Sequence, residues 1–161
     1  MGTFVSLLLL IGVDKLLQRE AYNSGHLFAL IGSFGAVSTM LFAMPQSPLV
    51  QPRNVLGGHV IASIVAICLD YLTNNDYHPL LPQWIATGLA PALVAAISSY
   101  TGLIHPPAGA TAVIYMIGDE EIKNLGWMFL LVPVLVDCVI MLIMALVINN
   151  FSKARIYPLY W

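Results

Sequence analysis

The chain has 161 residues, 59% of them hydrophobic and 9% charged, with a formal net charge of −2. Soluble domains carry roughly a quarter charged residues, so this composition cannot build a solvated surface and most of the surface must face lipid. The small negative charge excludes a generic electrostatic nucleic-acid binder. The cysteines, Cys68 and Cys138, lie in apolar runs with no paired spacing, so neither a disulfide framework nor a metal motif is expected. Both read as small buried hydrophobes.

Six apolar segments follow one another along the chain. Segment one, about Thr3–Leu17, lacks the basic start and small-residue cleavage site of a signal peptide. It reads as a membrane helix, short against the ~20 residues of a full span, with Asp14, Lys15, Arg19 and Glu20 marking an interface. Segment two, about His26–Met44, is interrupted by Gly32 and Gly35, and a turn-rich loop covers Pro45–Asn54. Segment three is about Val55–Leu72, with Asp70 near its end and a polar connection over Thr73–Pro79. Segment four runs from Pro82 to about Ser99, and Pro91 predicts a kink. Segment five is about Thr101–Gly118. Segment six, Leu125–Asn149, is long enough to span with tilt. Trp84, Trp127, Tyr157, Tyr160 and Trp161 sit near segment ends, where interfacial aromatics belong. The predicted fold is all-α: one polytopic transmembrane helical bundle over residues 1–161.

Segment five holds the stretch around which the rest is organised, His105-Pro106-Pro107-Ala108-Gly109-Ala110-Thr111-Ala112. Two adjacent prolines cannot continue a helix, but they can begin one, where the first donors have no intrahelical use. The spacing therefore predicts a helix broken and restarted at membrane depth. A restarted helix offers free N–H groups and the positive end of its dipole. Small residues at Ala108, Gly109 and Ala110 let a ligand approach that backbone, and Thr111 adds a hydroxyl; the simplest ligand is a small anion.

An internal echo extends this reading. Gly35-Ala36 matches Gly109-Ala110, and Arg53-Asn54-x-x-Gly57 is similar to Lys123-Asn124-x-Gly126. The pattern suggests two inverted units of three segments, residues 1–73 and 82–150, with a site between two broken helices. Ser33, Gly35 and Ala36 are the segment-two side of that site. The same small residues also suit close helix packing. Six spans put Lys15, Arg19 and Lys123 on one side and Arg53, Lys153 and Arg155 on the other. If segment five only dips in, Lys15, Arg19, Lys153 and Arg155 share a side against Arg53 and Lys123, the arrangement that charge bias prefers.

Among ionisable residues, His105 reads as a donor to the anion, a proton carrier, or a ring that fixes the loop. His59, in the first turn of segment three, reads as a site residue or a packed, hydrogen-bonded ring. His26 and His78 read as interfacial. The Arg53 guanidinium matches a two-oxygen anion and would gather it at an entrance. Asp137, halfway along segment six, costs several kcal/mol at mid-bilayer unless paired, hydrated or protonated, and reads as a proton-linked group. Asp70 is expected to pair with Lys15 or Arg19, and Asn149 and Asn150 to cap a helix end.

The His105–Ala112 stretch, together with Gly32-Ser33-Phe34-Gly35-Ala36, Gln51-Pro52-Arg53-Asn54, Gly57-Gly58-His59 and Tyr157-Pro158-Leu159-Tyr160-Trp161, resembles the signature of the HPP family of integral membrane proteins. The match runs from about residue 25 to the C-terminus. The resemblance implies nitrite transport, in the inner (plasma) membrane of a bacterium or cyanobacterium or in a chloroplast envelope. It also implies a small neutral residue where Asp137 stands, and an acidic pore residue would oppose anion passage. No nucleotide loop or metal motif is present, so no cofactor is expected, and movement would follow a gradient or be coupled to protons. Small-residue faces favour a homo-oligomer. The competing readings are a pore for another small ion, including a cation favoured by Asp137, and a non-transporting membrane module or enzyme. No clustered nucleophile, base and orienting group supports catalysis.

Overall fold

The computed structural model describes residues 1–20, 32–73, 80–151 and 155–161, without the side chains of residue 14 and residues 16–20. Among the described residues the chain is all-helical: α1 (Gly2–Glu20), α2 (Ser33–Ala43), α3 (Pro52–Thr73), α4 (Gln83–Thr101), α5 (Pro106–Ile117), α6 (Glu120–Asn124) and α7 (Val136–Asn150). A 3-10 turn, Pro48–Val50, precedes α3, and a wide-turned stretch, Leu130–Leu135, leads into α7. His26 and His78 lie outside the described residues, as does the part of segment two before Gly32.

Among the described residues three helices are long and apolar enough to cross a membrane: Pro52–Thr73, Gln83–Thr101 and Leu130–Asn150. Three further apolar helices, Gly2–Val13, Ser33–Ala43 and Pro106–Ile117, are shorter. The α2 and α5 helices have 11 and 12 residues, about 17 and 18 Å at 1.5 Å per residue, against a hydrocarbon core of about 30 Å. Segment five is shorter than expected because α4 continues to Thr101 and ends on Gly102 in the left-handed conformation, φ 71°. Leu103–His105 then run extended before Pro106 and Pro107 open α5. The α4 helix passes through Pro91 without interruption. The interruption falls instead at Val132, ahead of Pro133, where φ −135° and ψ 120° leave the helical region. Proline disfavours the helical region for its predecessor, and Val132 follows that preference.

Hydrogen bonds between element ends fix the directions. Asn54, at the start of α3, donates to the carbonyls of Gly102 and Ile104, just past the end of α4. Gln83, at the start of α4, donates to Met116 near the end of α5. Hence α3 and α5 run parallel, with α4 antiparallel to both. Asn149 near the end of α7 donates to Leu41 near the end of α2 at 3.1 Å. Two ends result. One carries Arg53, the Pro45–Gln51 loop, His105 and the C-terminal residues; the other carries Asp70 and α6. Arg155 belongs to the first, its Nη1 donating to the Phe42 carbonyl at 3.1 Å. Arg53 and Arg155 therefore share an end, and the charge arrangement expected for a dipping segment five is corrected.

Several smaller expectations change as well. Asp70 pairs with Lys123 at 3.1 Å, as α6 folds back onto the end of α3, and the side chain of its expected partner Arg19 lies outside the described residues. Asn149 joins two helices instead of capping one, whereas Asn150 does bind past its helix end, accepting from the Tyr157 amide. Cys138 is buried, but Cys68 is exposed on the outer face of α3. Trp84 and Trp161 are exposed near element ends, as interfacial aromatics are; Tyr157 is buried and anchors the tail.

Candidate functional site

The His105 break brings buried polar groups together in the described bundle. His105 is the residue before α5, with φ −145° and ψ 100°, and its ring does not cap the helix. It turns toward the 3-10 turn instead, where Nδ1 meets the Leu49 carbonyl at 2.7 Å. His59 stands in the second turn of α3 and bonds through Nδ1 to the Val55 carbonyl one turn back, at 2.9 Å. The two ring centroids are 5.0 Å apart, and Phe34 of α2 stacks on the other face of His59 at 5.3 Å. Three elements thus contribute one ring each to a short stack.

A carbonyl can only accept, so each Nδ1 carries the proton. In the neutral ring Nε2 is then an acceptor with an open lone pair. Both Nε2 atoms are buried and have no hydrogen-bond partner among the described residues; the same is true of the Ser98 hydroxyl on α4. Unsatisfied buried polar groups are rare and costly. Two of the three residues, His105 and Ser98, line one cavity.

That place has room. A cavity of about 220 Å³ lies between α4 and α5, bounded by Pro91, Val94, Ala95, Ser98, Ile104, His105, Pro106 and Gly109 among its walls. A water takes about 30 Å³, so a small ion with several waters fits. His105, Ser98 and Ser99 are the polar residues of a mostly apolar lining, the usual make-up of a small-ligand site.

The remaining sequence-predicted residues divide around this cavity. Gly109 lines it. Ala108 is buried behind it, and its N–H already donates to the His105 carbonyl at 3.0 Å. With two prolines lacking donors, few bare amides remain, so the expectation of an anion held on Ala108 N–H is corrected. Ala110 faces outward and is exposed. The Thr111 hydroxyl is spent on Ser33 at 2.7 Å, a bond that ties α5 to α2 rather than offering a donor to cargo. Ala36 is exposed, and a Cβ on Gly35 would meet nothing within 4 Å, so neither close packing nor the cavity uses that pair. Arg53 is exposed at the same end as His105, with its guanidinium beside Gly102. Asp137 is buried in the first turn of α7, outside the cavity lining, where the positive end of the helix favours a carboxylate.

Sequence reasoning missed Ser98, Asn54 and Gly58. Ser98 hides among other small residues of α4, and only its lack of a partner singles it out. Asn54 pins the α4–α5 connection through two carbonyls 48 and 50 residues away, a reach no local spacing displays. Gly58 is where α3 comes closest to the break: a Cβ there would lie 2.8 Å from the His105 Cβ and 3.3 Å from the Leu103 carbonyl.

Comparison with known proteins places this architecture. The HPP transmembrane region matches residues 1–158. The chain belongs to the HPP transmembrane family. It is an integral membrane domain, in keeping with its apolar helices. Two curated relatives from Dictyostelium discoideum, both described as transmembrane proteins, are 42% and 34% identical to it over 89% and 100% of this chain. The alignments cover 48% and 49% of those relatives, so the chain spans about half the length of the curated relatives it matches. No solved structure matches it.

Proposed function

We propose that this HPP domain carries a small inorganic anion across the membrane, by way of the cavity between α4 and α5. The observation that carries this reading is that His105 and Ser98, whose Nε2 and Oγ are buried and unpartnered among the described residues, are both among the residues lining a cavity beside a helix break. An isolated polar group in hydrocarbon is expensive, and where such groups gather they mark ion pathways. Nitrite is the cargo we put forward, on the strength of the sequence resemblance. Arg53, exposed at the His105 end, gathers the anion there through a guanidinium suited to two oxygens. An inverted relation between residues 1–73 and 82–150 belongs to the same proposal; α2 and α5, both short and joined through Ser33 and Thr111, support it. So does association of copies through the exposed face of α4, which carries Ile85, Leu89 and Ile97.

The test is nitrite flux into liposomes containing the purified chain, with His105→Ala, Ser98→Ala and Arg53→Ala beside it. The expected result is protein-dependent flux, reduced at least tenfold by the first two substitutions and less by the third. Flux no faster than in empty vesicles defeats the proposal. Chloride, nitrate and formate in place of nitrite report how strictly the cavity selects.

A further inference from the structure

The charges of the described bundle are sorted by end. Arg53 opens α3 and Arg155 lies against the end of α2, so both stand at the end that carries the Pro45–Gln51 loop. The acids stand elsewhere. Asp70 and the α6 acids mark the opposite end. On α7, Asp137 lies about 18 Å of helix below Asn149 at 1.5 Å per residue, and it is Asn149 that reaches the Leu41 carbonyl near the end of α2. On α1, Gly2 lies beside Phe42 at the arginine end, so the backbone of Asp14 and of Glu20 is about 18 and 27 Å further along. Among the described residues no acid shares the end of the two arginines.

A second cavity, of about 350 Å³, lies at that end, lined by Ala43, Met44, Pro45, Gln46, Ser47 and Arg155. Five of these are consecutive; Arg155 alone comes from elsewhere in the chain. Its Nη1 donates to the carbonyl of Phe42, the neighbour of Ala43, at 3.1 Å, which sets the guanidinium against the start of that run. A guanidinium has five N–H donors, and the others on Arg155 have no partner among the described residues. Ala43, Met44, Gln46 and Arg155 are exposed, so the cavity opens outward. The carbonyl end of α2 would repel an anion, but its last carbonyls are already covered: Met40 by the Met44 amide, Leu41 by Asn149 and Phe42 by Arg155.

The level of this cavity is that of a membrane interface. The α3 helix starts here, and its 22 residues make about 33 Å against a hydrocarbon core of about 30 Å. Tyr160, whose hydroxyl donates to the Pro48 carbonyl, Trp161, and Tyr100 at the end of α4 are exposed at the same end, as aromatics are among headgroups.

We propose that this cavity holds the phosphate of an anionic phospholipid from the leaflet at that end, bound by the Arg155 guanidinium. Guanidinium geometry suits phosphate oxygens, and basic pockets at one leaflet bind anionic headgroups. The ligand is a lipid because the opening lies at headgroup level, and exposed Ala43 and Met44 give its chains an apolar flank. Selection is for net negative charge. A zwitterionic headgroup brings its own cation, and no described carboxylate is there to receive it. The binding is independent of the transport reading.

The test is native mass spectrometry of the full chain released from detergent holding equal amounts of phosphatidylglycerol and phosphatidylcholine. The expected result is phosphatidylglycerol retained in preference. Arg155→Gln should lower that retention about fivefold, and Arg155→Lys should lower it less. Arg155 also covers the end of α2, so thermal unfolding accompanies each variant. Gln46→Glu leaves the bond to Phe42 untouched and brings a carboxylate to the lining; it should lower retention as Arg155→Gln does, and it decides the matter if Arg155→Gln fails to fold. Equal retention of the two lipids by the unmodified chain overturns the proposal, as does a preference unchanged in Gln46→Glu. Excess inorganic phosphate should leave the lipid in place; its displacement would mean a site for a soluble anion and overturns the lipid assignment. None of these outcomes depends on whether nitrite crosses the membrane.

Discussion

Replacing Gly58 by alanine adds a methyl group where α3 and the His105 break are closest. The new Cβ would sit 2.8 Å from the His105 Cβ, 3.3 Å from the Leu103 carbonyl oxygen and 3.4 Å from the Ala108 Cβ. None of these is the end of a flexible side chain, so relief requires moving the start of α5. Overpacking of this kind costs about 1–3 kcal/mol, while glycine to alanine in a helix returns about 1 kcal/mol. Gly88→Ala isolates that return, since a Cβ at Gly88 meets nothing within 4 Å. Gly58→Ala should therefore be less stable than Gly88→Ala by about 1–3 kcal/mol, or about 2–12 °C at roughly 2–4 °C per kcal/mol for a chain of this size. Gly57→Ala should fall between them, because its Cβ meets only the Leu103 side chain, which can rotate away. The assay is thermal unfolding in one detergent, followed by circular dichroism, with nitrite binding measured on the same samples. Binding should weaken in Gly58→Ala alone, since only there is His105 displaced. A Gly58→Ala protein as stable as Gly88→Ala, with unchanged binding, would show that the helices do not meet as described.

Asn54→Leu should lower stability by about 1–3 kcal/mol, because two carbonyls of the α4–α5 connection lose their donor; thermal unfolding measures it, and a change below about 0.5 °C would mean the connection holds itself. Burial pushes the Tyr157 phenol above its ordinary value of 10. The folded protein thus keeps a proton that the unfolded chain releases near that pH, so this contribution is intact below about pH 10 and declines as pH rises further. Tyr157→Phe should flatten that alkaline decline in a melting-temperature series, and an unchanged slope would refute the assignment.

The restart of the helix at Pro106 was legible because two adjacent prolines suit the first turn of a helix far better than its interior. Segment lengths were less so. Hydrophobicity alone does not separate the extended run Leu103–Ile104 from the helix that follows, and so segment five looked long enough to span. Pro91 and Pro133 show the limit of the same rule: α4 accommodates the first, while Val132 breaks the helix before the second. His105 and His59 were visible as candidates, yet their tautomers depend on carbonyls of Leu49 and Val55, which are backbone groups that no residue type advertises. Ala108–Ala110 looked like an anion cradle from composition, but the amide of Ala108 folds back onto His105 and the cavity opens on side chains instead.

The four residues Pro48–Gln51 are held from two sides. Leu49 restrains the His105 ring, while Pro48, Val50 and Gln51 hold Tyr160, Tyr157 and Leu159 of the C-terminal residues. A pull on the tail is passed through this strap to the imidazole. In practical terms, a purification tag or fluorescent fusion joined directly after Trp161 tugs on the same strap, and its length and stiffness should be varied before any His105 phenotype is interpreted.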